Sequence, residues 1–520
     1  MPSIPLARVR AVALALALGC ASSVNPATGR REVVLMTAED EQKIDVEAAQ
    51  EVEATAGVAQ DPALNRYVES VGRAVAAHSP RQDVNYTFKI VEMDEPNAFA
   101  LPGGHIFVSR GLLLLANTEA ELAYVLGHEI GHVAARHAAK LDAHVKTLGL
   151  ATLLGDILSG GREEEEHASE TAGSNPFARY ARNQERQADS IGQQIALEAG
   201  FDPGGMARFL TELDNYSKLK EGFSMPQTYW STHPATRERM ADAASRAQTE
   251  AWKHGASGAT PPYEDARNAY LDKIDGMSVN RPASEGVFVE DRFFHADLGF
   301  SLRFPYGWET HNEPARVMAI APKHDGVVLL ELQGPGGDPI AAAREYAELE
   351  ALPLEHGTPF HVGELPAFRA VAMVPTSFGP LNAEITWVAF NNRVYRLLGG
   401  TRGGQVSKYQ GLFRKFAQSF RPITPEETAS IEELRVRSAR ALPGETLAEL
   451  SARTHNQWDL TFTSVANGVF AHEALTPGQR IKIAVKEPYQ PAPAPGATPG
   501  SATPPAPPPA ASAGDHAAAN

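Results

Sequence analysis

Two histidines and a glutamate stand at a spacing that suits metal-dependent hydrolysis. His128, Glu129 and His132 lie in the segment GHEIGH, within a stretch that is predicted to be helical. Residues four apart lie on one face of a helix, so both imidazoles can bind a single metal ion. Zinc suits such ligands, and Glu129 is placed to take a proton from a water molecule at that ion. The pattern predicts peptide-bond hydrolysis.

The surrounding residues give this helix a defined start and a buried position. Thr118 and Glu121 form a capping box, which predicts a helix over about 119–140. The run is strongly apolar, and buried histidines and a buried glutamate need partners, which a zinc ion supplies. A metzincin would carry glycine and histidine where this chain has Ala135 and Ala138, so that class is excluded.

A catalytic zinc site needs a third protein ligand. Glu185 and Asp189 lie one turn apart on a helix predicted over 178–199. Glu185 can bind the metal while Asp189 holds a ligand histidine by its second nitrogen. Spacing alone does not distinguish this pair from two acids on a solvated helix. His137 lies off the ligand face, and we interpret it as structural.

Four motifs in order resemble one peptidase family. They are NAFALPGG from Asn97, GHEIGH from Gly127, ERQAD from Glu185 and THP from Thr232, followed by Arg237. Together they resemble the HtpX/BepA/CAAX-prenyl-protease type of zinc metallopeptidase, a gluzincin type, and specifically its soluble periplasmic branch. The resemblance covers roughly residues 35–250.

This resemblance assigns roles to individual residues. It implies one Zn²⁺ per chain, held by His128, His132 and Glu185, with Glu129 as general base and Asp189 behind the ligands.

A histidine and an arginine of the last motif extend the predicted site. The resemblance places His233 at the open metal position in a resting state; alternatively, His233 or Arg237 stabilises the oxyanion. The strand predicted at 105–109 is expected to offer an edge to an extended substrate, whose cleavage would then tolerate many sequences.

Charge and cysteine content exclude some classes of protein. The 520 residues include 47 basic and 63 acidic side chains, a net charge of −16, which argues against a nucleic-acid partner. The single cysteine, Cys20, permits no intrachain disulfide.

The position of Cys20 predicts an export signal. Residues 1–20 read as a signal peptide, with Arg8 and Arg10 before a short apolar run and a sequence, ALGC, that resembles a bacterial lipobox. Cys20 is then lipidated, and Ala21 after it favours the outer membrane, facing the periplasm. The alternative is an ordinary signal peptide with an incidental cysteine.

The rest of the chain predicts an α+β multidomain protein. A mainly helical zincin-type metallopeptidase domain with a small sheet is followed by an α+β sandwich, whose segment LGFSLRFPYGW is similar to PsbP-like domains, and by a small βααβ module that resembles a lysin motif. Lysin motifs bind N-acetylglucosamine polymers such as peptidoglycan, although degenerate copies do not. The predicted ranges are a tether at 21–36, the peptidase at 37–255, the sandwich at 286–424, the module at 437–487 and a disordered Pro/Ala-rich tail at 488–520.

Several connecting segments carry predictions of their own. Residues 160–176 read as a solvated loop or a lid, 255–285 as loop-rich and 425–440 as helical.

The predicted function is a zinc-dependent endopeptidase of the bacterial envelope that degrades misfolded or misassembled envelope proteins. The alternative is a chaperone-like or peptidoglycan-docked binding protein whose protease site is gated and rarely active.

Overall fold

The protein is built from helices and several sheets, in agreement with the predicted α+β multidomain class. The computed structural model describes residues 22–27, 29, 31–33, 36–140, 182–220, 233, 236–254, 262–376, 379–402 and 406–490. Cys20, the loop at 160–176 and the tail beyond Gln490 lie outside the described residues. No helix among those described is long and apolar enough to cross a bilayer.

Helices and one small sheet surround the predicted catalytic motif. The helices begin where the sequence supplies caps: Thr37 opens the first with a capping box, and Asp61 with Pro62 opens the second. The helices of this region are α1 (Ala38–Ala56), α2 (Pro62–Ala76), α3 (Arg110–Leu115), α4 (Glu119–Ala134), α5 (His137–Lys140), α6 (Arg182–Glu198), α7 (Gly205–Lys220), α8 (Arg237–His254) and α9 (Tyr263–Ile274). The last of these replaces part of the loop-rich stretch predicted at 255–285.

The helix that carries the HExxH motif is shorter than predicted. It ends at Ala134, because Arg136 takes a left-handed backbone conformation with φ 54° and breaks the run before α5 begins. Arg136 then donates to the buried carboxylate of Glu41 in α1 (Nε–Oε1 2.9 Å).

The small sheet corrects one prediction about substrate binding. Strand β3 (Thr87–Val91) pairs in parallel with β5 (His105–Ser109), and β4 (Ala98–Ala100) pairs antiparallel on the other side of β5. The predicted strand at 105–109 is therefore central in the order β3-β5-β4, and its main-chain groups are already paired. The edge strands are β3 and β4, and Val58 forms an isolated bridge with Val91 of β3.

The segment predicted as a tether contains a hairpin. Strands β1 (Ser22–Val24) and β2 (Arg31–Val33) pair antiparallel. Between them, the buried Asn25 donates from Nδ2 to the carbonyl of Ala135, at 3.3 Å, just past the end of α4.

The middle of the chain forms two antiparallel sheets with two packed helices. The seven-stranded sheet has the order β12-β13-β14-β15-β11-β10-β9, and the four-stranded sheet the order β16-β8-β7-β6. The predicted helices at 339–351 and 406–418 correspond to α10 and α11. The elements are β6 (Val287–Val289), β7 (Arg292–His295), β8 (Phe300–Arg303), β9 (Glu309–Asn312), β10 (Arg316–Ile320), β11 (Gly326–Pro335), α10 (Pro339–Leu349), β12 (Glu355–Val362), β13 (Leu365–Val374), β14 (Leu381–Phe390), β15 (Arg393–Thr401), α11 (Val406–Gln418) and β16 (Arg421–Pro422).

The C-terminal part has the strand–helix–helix–strand order expected of the predicted module, with a different start. The segment 425–440, predicted helical, is a short helix and then a strand that pairs along its full length with the last strand. The elements are α12 (Pro425–Ala429), β17 (Glu432–Arg440), α13 (Leu447–Arg453), α14 (Leu460–Asn467) and β18 (Arg480–Pro488).

This C-terminal part packs directly on the helices around the HExxH motif. Val436 and Ala484 belong to the same apolar core as Leu122 and Leu126 of α4. Lys482 is fully buried, and its Nζ donates to the carbonyls of Leu114 (2.7 Å) and Ala116 (2.8 Å). The connection between α3 and α4 is therefore held by the last strand of the fold.

Candidate metal centre

The helix with the HExxH motif and the helix with Glu185 cross at glycines. A Cβ atom added at Gly192 would lie 2.6 Å from the backbone of Gly127 and His128, and one added at Gly131 would lie 2.8 Å from the carbonyl oxygen of Ala188. Such contacts are far closer than side chains allow, so the absence of a Cβ lets α4 and α6 approach backbone to backbone. This approach brings Glu185 next to the two histidines.

Four buried side chains converge at this crossing. The Nε2 atoms of His128 and His132 are 3.0 Å apart, and the carboxylate of Glu185 lies 3.5 Å from the first and 3.4 Å from the second. His233 adds a fourth group, with Nδ1 3.2 Å from His128 Nε2 and 3.0 Å from Glu185 Oε1. All four are at most 3% exposed.

The spacing of these donor atoms fits a small tetrahedral cation. Zinc bonds of about 2.0–2.1 Å in a tetrahedron put neighbouring ligand atoms roughly 3.3 Å apart. The five contacts of 3.0 to 3.5 Å among His128, His132, Glu185 and His233 are close to that edge length. Among the described residues, this is the group that could hold a metal ion.

The outer nitrogen of His128 faces a buried carboxylate. Its Nδ1 lies 2.9 Å from Oδ1 of Asp189, which is fully buried one turn after Glu185. Burial by itself would raise the pKa of Asp189, but hydrogen bonds from His128 and Arg239 outweigh it and lower that pKa. Asp189 is therefore an ionised acceptor that orients the imidazole.

The arginine of the site is Arg239, two residues after the predicted one. Arg237 is exposed at the first position of α8, and the structure does not bring it to the cluster. Arg239 is buried, donates to both carboxylate oxygens of Asp189 (2.7 and 2.6 Å) and places Nη1 3.0 Å from Glu185. Residues two apart point about 200° apart around a helix, so only one could face the site.

Glu129 lies beside the cluster, with a carboxylate oxygen that is available to accept a proton. It is 2% exposed, and its Oε1 accepts no hydrogen bond from any described residue. Burial raises the pKa of Glu129, although the neighbouring His233 and His128 lower it in part. Nε2 of His233 lies 3.8 Å from that oxygen.

A buried HExxH helix joined by a glutamate from a later helix is the arrangement of the gluzincin metallopeptidases. Residues 62–247 match the family model described as Peptidase family M48, and they form an M48 domain. The predicted resemblance is thereby confirmed for this part of the chain.

Curated relatives match over the same region. The chain is 32% identical over 205 residues to the beta-barrel assembly-enhancing protease of Yersinia pestis, covering 38% of this chain and 42% of that protein. It is 29% identical over 201 residues to the metalloprotease LoiP of Escherichia coli, covering 37% and 75%. It is 28% identical over 218 residues to the mitochondrial metalloendopeptidase OMA1 of Schizosaccharomyces pombe, covering 41% and 63%. The chain thus spans less than half the length of the first of these relatives.

The likeness to solved structures is slight. A cyanobacterial PsbP from Synechocystis aligns with 26% of this chain and 95% of its own, at 11% identity and a TM-score of 0.22. The PsbP-like and lysin-motif-like assignments stay predictions.

Proposed function

We propose that this protein is a zinc-dependent endopeptidase of the bacterial envelope. The observation that carries the proposal is the convergence of His128, His132 and Glu185 at ligand spacing, next to a buried Glu129 oxygen that has no hydrogen-bond partner in the described part of the chain. A buried polar cluster of this kind is costly unless something completes it, and a divalent cation does.

The residues present divide the chemistry between them. His128, His132 and Glu185 would hold Zn²⁺, which, when bound, polarises the scissile carbonyl and acidifies the attacking water. Glu129 accepts the proton of that water and delivers it to the leaving amine, and its raised pKa suits a group that must both take and give a proton. Asp189 and Arg239 keep His128 and Glu185 aligned throughout.

The substrate is proposed to bind as an extended chain along β4. This strand is at an edge of its sheet, and its last residue, Ala100, lines a small cleft together with Leu101, Pro102 and His132. Pairing of main-chain groups at such an edge selects for an unfolded segment and tolerates many side chains. Unfolded or misassembled envelope proteins meet this requirement, and the name of the Yersinia relative supports outer-membrane β-barrel proteins among them.

His233 is proposed to keep the site closed at rest. Its Nδ1 lies where a fourth ligand would stand, and its Nε2 faces Glu129, so it excludes water from the position that catalysis needs. His233→Ala should then raise basal proteolysis while zinc remains bound. If His233 instead stabilises the oxyanion, the same change should lower kcat by roughly a hundredfold or more.

Location and further partners follow from the sequence predictions. We propose that Cys20 is lipidated and anchors the protein to the outer membrane, and that residues 437–487 contact peptidoglycan. Cys20→Ala should release a soluble or unprocessed form; unchanged fractionation and processing would remove the anchor from the proposal. Binding of the purified protein to peptidoglycan sacculi tests the second contact.

One experiment tests the catalytic proposal against the chaperone-like alternative. The purified mature protein is incubated with an unfolded β-barrel outer-membrane protein, with and without a chelator, and its metal content is measured. We expect one zinc per chain and cleavage that stops with the chelator and returns with zinc. A metal-free protein, or one that holds the substrate soluble without cutting it even as His233→Ala, would support the alternative.

A further inference from the structure

A fourth histidine lies directly behind one of the candidate ligands. His137, the first residue of α5, is fully buried, and its Nδ1 is 3.1 Å from Nδ1 of His132. Its other nitrogen, Nε2, is 3.1 Å from Oε1 of Gln187 on α6. A chain of contacts therefore runs from the metal-facing histidine to the helix that also carries Glu185.

If His132 binds a metal, only one placement of the protons on these side chains is consistent with the hydrogen bonds. His132 presents Nε2 to the cluster, so Nε2 must carry a lone pair and the proton must be on Nδ1. His132 Nδ1 then donates to His137 Nδ1, which must be unprotonated. The proton of neutral His137 is consequently on Nε2, where it donates to Oε1 of Gln187.

The amide of Gln187 sets the direction of this chain. Its Nε2 is buried and has no hydrogen-bond partner among the described residues, which is the cost of presenting Oε1 to His137. The reversed amide would place an N–H against His137 Nε2, and every donor in the chain would become an acceptor. The proton of His132 would then sit on the nitrogen that faces the metal.

We propose that His137 and Gln187 are positioning residues that hold His132 in its metal-binding tautomer and orientation. The inference rests on the proposed metal site. His137 and Gln187 would orient His132 as Asp189 orients His128. The outer nitrogen of His128 contacts α6 directly, and that of His132 contacts it through His137. The partner of His128 is a carboxylate, whereas the partners of His132 are two neutral side chains. Helix α6 therefore supplies one ligand, Glu185, and helps to orient the other two.

Two substitutions at His137 separate this role from packing. His137→Asn puts Oδ1 where Nδ1 stood and keeps an acceptor for His132, whereas His137→Phe keeps the ring and removes the acceptor. Zinc affinity is measured by competition with a chromophoric chelator, and ligand geometry by the absorption spectrum of the Co²⁺-loaded protein. We expect His137→Phe to weaken zinc binding by about 10–100-fold and alter the Co²⁺ spectrum, and His137→Asn to recover most of both. If the ring only fills space, the order of the two variants is reversed.

A second pair of variants guards against a misfolded His137→Phe. Gln187→Met should weaken zinc binding, whereas Gln193→Met is the control, because Gln193 lies on the same helix but donates to the carbonyls of Ala243 and Pro203, outside the chain. Equal affinities in Gln187→Met, Gln193→Met and the wild type would overturn the inference. A wild-type protein that binds no zinc would instead overturn the proposed function, so the two failures are distinguishable.

Discussion

Each candidate ligand is held by a partner that comes from another part of the fold. Arg239 of α8 pairs with both Glu185 and Asp189 of α6. His128 of α4 contacts Asp189 through its outer nitrogen. Removing one member of such a buried charged set leaves the others without compensation. Single substitutions should therefore distinguish residues that take part in the reaction from residues that hold the ligands in place.

Glu129→Gln tests the chemical role. The amide keeps the size of the side chain but cannot accept a proton, and the candidate ligands are untouched. We expect zinc content and thermal stability near those of the wild type and loss of proteolysis by at least a hundredfold. A variant that holds its zinc and digests an unfolded protein at the wild-type rate would remove Glu129 from the mechanism.

Arg239→Ala tests the supporting role, with Arg237→Ala as its matched control. Without Arg239, two buried carboxylates lose their cation, and the free energy of unfolding should fall by about 3–5 kcal/mol, with weaker zinc binding. Arg237 is exposed, so its removal should change stability by less than about 0.5 kcal/mol. Urea unfolding with and without chelator measures both. Equal effects of the two substitutions would contradict the assignment.

The sequence predicted which residues meet in the site better than it predicted what supports them. His128, His132 and Glu185 follow from spacing and resemblance, and the structure brings them together. The choice between Arg237 and Arg239 depended on where α8 begins, and Thr236, whose Oγ1 accepts from the backbone N–H of Arg239, was the available signal. His137 was interpreted as structural because helical spacing places it off the ligand face. In the structure the chain breaks at Arg136, and His137 contacts the outer nitrogen of His132.

At the scale of elements, the site depends on how closely α4 and α6 approach. Helical spacing can say which residues share a face, but not how near two helices lie. The glycines at positions 127, 131 and 192 remove the side chains that would keep these helices apart. The geometry of the cluster is therefore encoded partly in residues that have no functional groups.

Gly192→Ala should disturb the site without touching a ligand. The added methyl would meet the backbone of Gly127 and His128 at 2.6 Å, so α4 and α6 must separate and draw Glu185 away. We expect a loss of about 1–3 kcal/mol in unfolding free energy and weaker zinc binding. The same change at Gly411 in α11, where no atom of the described residues lies within 4 Å of the added Cβ, should stabilise by about 0.5–1 kcal/mol. Unfolding curves and chelator competition compare the two, and a neutral Gly192→Ala would contradict the close-approach argument.

The errors at this scale have physical causes. The strand 105–109 reads as a strand from its sequence, but whether it is central or at an edge depends on the partners that β3 and β4 provide. The stretch 425–440 is predicted to be helical, and its Glu, Leu, Ala and Arg residues favour a helix locally. Pairing with β18 overrides that local preference from Glu432 onward.

At the scale of the whole molecule, a buried lysine joins the C-terminal part to the peptidase region. Lys482 on β18 faces Arg267 of α9, Glu121 of α4 and Glu212 of α7. Burial and the neighbouring Arg267 lower the pKa of Lys482 to about 7, although the two glutamates act in the opposite sense. Both its charged and neutral forms can donate to the carbonyls of Leu114 and Ala116.

Lys482→Met should change how stability depends on pH. Between pH 7 and about 10.5 the unfolded chain keeps the proton that the folded chain releases, so the unfolding free energy rises with pH, by at most about 1.4 kcal/mol per unit for this group. The unfolding free energy of the wild type minus that of Lys482→Met should therefore increase with pH through that window. Urea unfolding at pH 7, 8 and 9 measures it, with the exposed Lys486→Met as control. Parallel pH profiles for wild type and Lys482→Met would contradict the shift.

The contact of Lys482 with Leu114 also has a consequence for biosynthesis. The two residues are 368 positions apart in the chain. Ribosomes add about 5–20 residues per second, so the nascent protein waits roughly 20–70 s between making the connection before α4 and making the lysine that holds it. Once His233 has been added, the chain contains every proposed catalytic residue, yet the carbonyls of Leu114 and Ala116 still lack their ammonium donor. The connection before α4, the helix that carries the proposed ligands His128 and His132, is thus completed by one of the last strands to be synthesised.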